Sequence, residues 1–113
     1  MHEVGLMQTA LDIASRHAAA AGASRIARLT MRVGKLSGAA PDALRFAFEV
    51  LSAGTAAEGA VFEIDEVPLV CRCANCARDF EPEDLVFICP ECGMPTTEVL
   101  SGRELDVAQL EVI

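Results

Sequence analysis

The chain has few basic residues and no long apolar run. Its 113 residues include nine Lys or Arg against seventeen Asp or Glu, a formal charge of −8. Affinity for nucleic acids comes largely from basic side chains that neutralise phosphates, so this balance argues against a nucleic-acid partner. No apolar run approaches the roughly 18 residues that a membrane helix needs, and we expect no membrane partner either.

Aromatic residues are also scarce, with no Trp, no Tyr and five Phe, so the core has to be built mainly from aliphatic side chains and alanine. The opening stretch ends in AAAA but has no basic start, and it contains Glu3, Asp12 and Arg16, which an export signal would lack. We therefore expect a cytoplasmic protein. In reducing surroundings, its five cysteines favour metal binding over disulfides.

Hydrophobic periodicity predicts two helices and three strands. The predicted helices end near Gly22 and run from Pro41 to about Ser52, and the predicted strands cover residues 27–33, 60–67 and 104–113. The first strand, ARLTMRV, alternates so regularly that one of its faces should lie in solvent. The alternation of the last strand slips around Ala108, which indicates a bulge.

A segment of different composition interrupts this pattern. All five cysteines lie between Cys71 and Glu98, and four of the five prolines lie within this segment or just before it, the first of them at Pro68. We predict an α+β fold: a small two-layer α/β body, with two helices on a three-stranded sheet, and an inserted zinc-ribbon module. Residues 1–70 and 99–113 form the body, and residues 71–98 form the cysteine module.

Four of the cysteines have the spacing of a metal site. Cys73-Ala-Asn-Cys76 and Cys89-Pro-Glu-Cys92 are two C-x-x-C pairs separated by twelve residues. Each pair can bring two thiolates onto one ion, and two pairs complete a tetrahedron with no position left for chemistry. Gly93 permits a tight turn after the second pair, whereas the first pair has no glycine. The spacing predicts a structural Zn(II) site.

Other readings of this segment stay open. CPECG also resembles the iron-binding turns of rubredoxin, and an electron carrier with iron in the same thiolates is an alternative. Cys71 is left over, either as a buried or surface thiol or as an alternative ligand. Phe80 and Phe87 are expected to shield the metal, because so small a module has almost no other core.

The first residues contain a second set of metal donors. The Met1 amine and the His2 amide nitrogen close a five-membered ring on an ion, and the His2 imidazole closes a six-membered ring. Such nitrogen donors suit Ni(II) or Cu(II), with a fourth place for Glu3 or a group from elsewhere. Affinity should fall as the pH drops through roughly 6 to 7, because the donors must lose protons.

These residues also have simpler interpretations. A start methionine followed by two polar residues is usually a frayed end, and the Glu3 carboxylate could simply interact favourably with the helix dipole. His17 is expected to be a packed or surface histidine and not a ligand.

Taken together, M-H-E, VGKLSG, LRFAFE, VCRCANC, CPECG and a terminal strand resemble the HypA/HybF family of hydrogenase-maturation nickel chaperones. The resemblance covers essentially the whole chain. It implies that His2, with the neighbouring backbone and Glu3, binds nickel, and that the four paired cysteines hold a structural zinc. It further implies delivery of nickel to a [NiFe]-hydrogenase large-subunit precursor, together with a HypB-type GTPase, and in some organisms a role for urease.

We therefore predict a nickel metallochaperone and not an enzyme. No Ser/His/Asp set, phosphate-binding loop or inward pair of carboxylates supports catalysis. The alternative is a zinc-ribbon protein-interaction or nucleic-acid-binding module without a nickel role. The sequence leaves the oligomeric state open, and a homodimer is compatible with it.

Overall fold

A computed structural model describes residues 2–83 and 85–113, which form two helices and two three-stranded sheets. The elements are α1 (His2–Ala20), β1 (Ile26–Gly34), α2 (Pro41–Leu51), β2 (Val61–Val67), β3 (Val70–Cys73), β4 (Arg78–Phe80), β5 (Val99–Ser101) and β6 (Leu105–Val112). The molecule is elongated, with extents of 54 × 27 × 17 Å. Neither helix in the described part of the chain is long and apolar enough to cross a membrane.

The first sheet has the order β2-β1-β6, with β1 parallel to β2 and antiparallel to β6. Its strands and the two helices confirm the predicted two-layer body. The bulge is confirmed as well: Thr30 pairs with Gln109 and Met31 pairs with Val107, so Ala108 between them has no partner on β1.

The helices cover one face of this sheet and bury the main core there. The core combines the apolar stripe of α1 with one face of α2, the buried residues of β1 and one alanine between α2 and β2: Met7, Ala10, Leu11, Ala14, Ala18, Ile26, Leu29, Met31, Val33, Leu44, Ala47, Phe48 and Ala57. The Phe48 ring stacks on Phe62, with ring centroids 4.8 Å apart. Val4 and Ile13 on α1 are exposed and lie outside this core.

The opposite face of the first sheet is held by ion pairs. Arg28 on the central strand contacts Glu63 on one neighbour and Glu111 on the other, and Arg32 binds both oxygens of Asp106. These contacts confirm the predicted solvent face of β1, although Thr30 on the same face is buried. Exposed pairs of this kind add little stability each, so the buried face supplies most of it.

The second sheet, with the order β4-β3-β5, was not predicted from the sequence patterns. Its strands have three or four residues each, too few for an alternating pattern to show. It builds a separate small core of Leu69, Cys71, Cys73, Phe80 and Cys89, with Leu36, Phe87 and Val99 packed against it. The division into residues 1–70 with 99–113 and residues 71–98 stays a prediction.

The two sheets meet at a close backbone crossing. The Gly34 N–H donates to the Glu104 carbonyl over 2.6 Å, and the Leu36 N–H donates to the Gly102 carbonyl over 2.7 Å. A Cβ on Gly34 would lie 2.1 Å from the Gly102 oxygen, so no residue but glycine fits without a backbone shift. Just beyond this crossing, Leu36 packs into the core of the second sheet.

Candidate metal centres

The four paired cysteines converge as their spacing predicts. Cys73 ends β3, Cys76 lies in the turn to β4, and Cys89 and Cys92 lie in the connection from β4 to β5. Their sulfur atoms all lie within 4.8 Å of one another, and those of Cys73 and Cys92 are 3.6 Å apart. Four thiolates about 2.3 Å from one zinc ion would be about 3.8 Å from each other, so the site has the right size for a tetrahedral ion.

The two turns share a backbone shape despite their different sequences. Gly93, after the second pair, has a φ of 74°, and its N–H donates to the Cys89 carbonyl over 2.9 Å. Ala77 occupies the equivalent place after the first pair and adopts the same left-handed region, with a φ of 53°. The Cys76 N–H donates to the Cys73 sulfur over 3.4 Å. The missing glycine is therefore replaced by an alanine held in an unfavourable conformation.

Hydrogen bonds give two of the four thiols very different pKa values. The Met94 N–H and the Asn75 side chain lower the pKa of Cys92 to about 6. Hydrogen bonding to Cys92, together with desolvation, raises the pKa of Cys76 to about 12. A metal ion therefore meets one sulfur, that of Cys92, which is readily charged near neutral pH, and must displace a proton from Cys76, so metal binding should strengthen as the pH rises.

Two phenylalanines and the fifth cysteine pack with the metal-site cysteines. Phe80 is buried in the small core that contains Cys73 and Cys89, and Phe87 packs against that core. Cys71 is fully buried in the same core, where desolvation raises the pKa of its thiol. Within the described residues it does not belong to the group of converging ligand atoms. Its place is that of an apolar core residue.

At the other end of the chain, His2 and Glu3 form the first turn of α1, whereas Met1 lies outside the described residues. The His2 side chain is 55% exposed, and its Nδ1 atom is 3.7 Å from Glu3 Oε2, too far for a hydrogen bond. The Glu3 side chain is only 13% exposed. The imidazole is therefore open to solvent, and the carboxylate beside it is largely covered.

Glu3 is covered because it reaches a second helix. Its Oε2 atom accepts a hydrogen bond of 3.1 Å from the backbone N–H of Ala40, the residue that caps α2. This bond is the main reason that the pKa of Glu3 is lowered, and the charge of His2 contributes less. The sequence patterns did not predict this contact. The one available clue was an alanine at the start of a helix, where a side chain with a capping oxygen is usual.

His17 cannot join His2 in one site. Both lie on α1, and fifteen residues of helix place them about 22 Å apart. His17 is exposed beside a cleft between α1 and β6, as a surface histidine is expected to be. Among the described residues, the four cysteines are the one group of three or more side chains that could hold an ion. A site at the terminus would therefore need backbone donors.

Fold and geometry together define a class: a small α+β metal-binding protein with one closed set of four sulfur atoms and a separate, exposed histidine at its first helix. The chain belongs to the HypA family, because the family model described as "Hydrogenase/urease nickel incorporation, metallochaperone, hypA" matches residues 1–112. That description is of a metal carrier and not of an enzyme. The resemblance drawn from the motifs is thereby confirmed.

Individual relatives agree with this assignment. The chain is 46% identical over 113 residues to hydrogenase maturation factor HypA of Picosynechococcus sp., with both chains fully covered. It is 44% identical to the protein of that name from Syntrophus aciditrophicus, with 99% of each chain covered. The solution structure of the Ni metallochaperone HypA from Helicobacter pylori is 21% identical and superposes with a TM-score of 0.68, covering 98% of this chain and 97% of that one. At that identity the likeness concerns the fold.

Proposed function

We propose that the protein binds Ni(II) at its amino terminus and delivers it for the maturation of a [NiFe]-hydrogenase. The Met1 amine, the His2 amide nitrogen and the His2 imidazole supply three donors, and Glu3 or another group supplies the fourth. The match to a nickel-incorporation family over residues 1–112 supports the metal and the process.

The observation that carries this proposal is the exposure of the His2 imidazole at the first turn of α1. An ion held there can be approached by a recipient protein, because the imidazole is on the surface. The cysteine site differs, since two of its four thiols are buried. A transient cargo fits the first site and a permanent ion fits the second.

The cysteine cluster holds Zn(II) in this proposal and stabilises the cysteine module. A four-thiolate zinc site contributes directly to folding, as expected for a sheet of three very short strands. Metal analysis of the purified protein tests this assignment. One equivalent of zinc and a colourless protein are expected, whereas a red protein with one equivalent of iron would favour the electron carrier.

Partners follow from the same proposal: a HypB-type GTPase, the precursor of a hydrogenase large subunit and, in a urease-containing cell, the urease system. The proposed location is the cytoplasm, and a homodimer is one arrangement in which the protein could act. Nucleic acid is not a proposed partner. The two arginines of the cysteine module, Arg72 and Arg78, are already paired with Asp79 and Glu91.

The decisive experiment replaces His2 with Ala and measures nickel binding by calorimetry. The variant is expected to lose nickel binding, since one chelate ring disappears, and to keep its zinc and its circular dichroism spectrum. His17→Ala is the matched control, because it removes the other histidine of the same helix and should bind nickel as the wild type does. Equal nickel binding by His2→Ala and wild type would refute the assignment.

A second experiment tests the amine. Acetylation of the Met1 amine removes this donor while leaving every side chain in place. Nickel binding is expected to weaken about ten-fold or more, as for the loss of one chelating donor. An unchanged affinity in the acetylated protein would show that the amine is not a ligand.

A further inference from the structure

Helix α2 begins without a capping side chain of its own. Its cap residue is Ala40, which makes no side-chain hydrogen bond, and Pro41 follows in the first turn. In many helices a Glu three residues after the cap reaches back to the backbone N–H of the cap residue. The residue at that place in α2 is Ala43, which has no such group. The Ala40 N–H therefore has no acceptor in the first turn of its own helix.

Glu3 supplies that acceptor from another helix, 37 residues away in the sequence. Its Oε2 atom accepts the hydrogen bond that a Glu at position 43 would accept in a local capping pair. The negative charge of Glu3 also interacts favourably with the positive end of the α2 dipole. Hydrogen bonds to ionised groups are stronger than those between neutral groups. This bond therefore helps to hold the first turn of α1 in place.

We propose that Glu3 is a positioning residue: its carboxylate fastens the first turn of α1 to the start of α2 and so holds the backbone around His2 ready for the nickel ion. This inference rests on the proposed function and assigns Glu3 a role other than that of the fourth ligand. Coordination through Oε2 would compete with the bond from Ala40 and leave the start of α2 uncapped.

The fastening matters because chain ends are usually disordered and a chelate requires a fixed backbone. The His2 amide, which the proposed site uses as a donor, belongs to the residue directly before Glu3. If the bond to Ala40 is absent, nickel binding must itself order this part of the chain. Ordering one backbone residue corresponds to about a ten-fold loss of affinity.

Two substitutions at Glu3 separate positioning from coordination. Glu3→Gln keeps an oxygen that can accept from the Ala40 N–H but loses the anionic donor, and Glu3→Ala loses both. For a positioning residue, Glu3→Gln should bind nickel within about three-fold of wild type, and Glu3→Ala should bind it about ten-fold more weakly. Amide exchange in the metal-free proteins provides the second readout: the Ala40 amide should stay protected in Glu3→Gln and exchange faster in Glu3→Ala.

A rescue variant distinguishes fastening of the terminus from mere capping of α2. In the background of Glu3→Ala, Ala43→Glu places a carboxylate three residues after Ala40, where it can cap α2 locally. This double variant should regain protection of the Ala40 amide and thermal stability. It should still bind nickel about ten-fold more weakly than wild type, because nothing holds His2.

Two outcomes would overturn the inference. One is a Glu3→Gln variant that binds nickel as poorly as Glu3→Ala while its Ala40 amide remains protected, which would identify the carboxylate as a ligand. The other is full recovery of nickel binding in the double variant, which would reduce Glu3 to a cap for α2. A wild-type protein that binds no nickel would refute the proposed function instead, while amide exchange at Ala40 would still test the fastening itself.

Discussion

The two turns around the cysteine site allow two tests of the free-energy cost of a Cβ in the left-handed region. One substitution removes the Cβ and the other adds it, so their effects should be opposite. Ala77 and Gly93 follow equivalent cysteine pairs, and both have left-handed backbones, with φ values of 53° and 74°. We predict that Ala77→Gly strengthens metal retention and that Gly93→Ala weakens it. A Cβ on Gly93 would have no atom within 4 Å apart from its chain neighbours, so the effect there comes from the backbone alone.

The expected magnitude follows from two opposing contributions. A residue with a Cβ costs about 1–2 kcal/mol in the left-handed region, whereas glycine costs about 0.4–1 kcal/mol through the greater freedom of the unfolded chain. The net change is about 0.5–1 kcal/mol, in favour of glycine at either position. In zinc affinity this is about a two- to five-fold increase for Ala77→Gly and a decrease of the same size for Gly93→Ala.

Competition with a coloured chelator measures both affinities at one pH. Amide exchange across residues 71–98 serves as a check that each variant keeps its fold when zinc is bound. The double variant measures the coupling between the two turns, which bind the same ion: a return to the wild-type affinity means that the two backbone costs add. Two single variants that shift zinc affinity in the same direction would refute the argument, since they would show that left-handed strain does not control the turns.

Other predictions concern the junction and the metal. Gly34→Ala should lower the stability by about 2–3 kcal/mol, since its Cβ would collide with the Gly102 backbone, and lower the melting temperature by about 10 °C. Gly5→Ala, in the open first turns of α1, should instead add about 0.5–1 kcal/mol, and equal melting temperatures for the two variants would contradict the argument that the space around each glycine decides the effect. Cys76→Ser should lose zinc and speed amide exchange first in residues 71–98, and a segment that stayed protected without zinc would show that the ion is not structural.

The main elements could be predicted because their patterns are long. Helix α1 and strand β1 have 19 and nine residues, enough for a period of 3.6 or of two to repeat several times. Strands β3, β4 and β5 have four residues or fewer and are defined by their partners rather than by their own side chains. Short strands of this kind cannot be read from a single sequence, and the sequence patterns missed all three.

The cysteine site was predictable for a different reason. A C-x-x-C pair brings two ligands together within one turn, so proximity is encoded locally, and the convergence of the two pairs is confirmed by the structure. The role of Glu3 had no comparable local pattern. The residue was expected to act on nickel or on the dipole of its own helix, whereas its hydrogen bond goes to the N-terminus of α2.

The sequence by itself determined the periodic elements, the four-sulfur cluster and the family, because each depends on patterns formed by residues that are close along the chain. Tertiary structure decided that Glu3 bonds to Ala40, that Gly34 crosses Gly102 and that Ala77 is strained. Those contacts join segments far apart in the sequence or depend on how two turns must aim their sulfur atoms. They exist only once the packing of both sheets has brought the partners together.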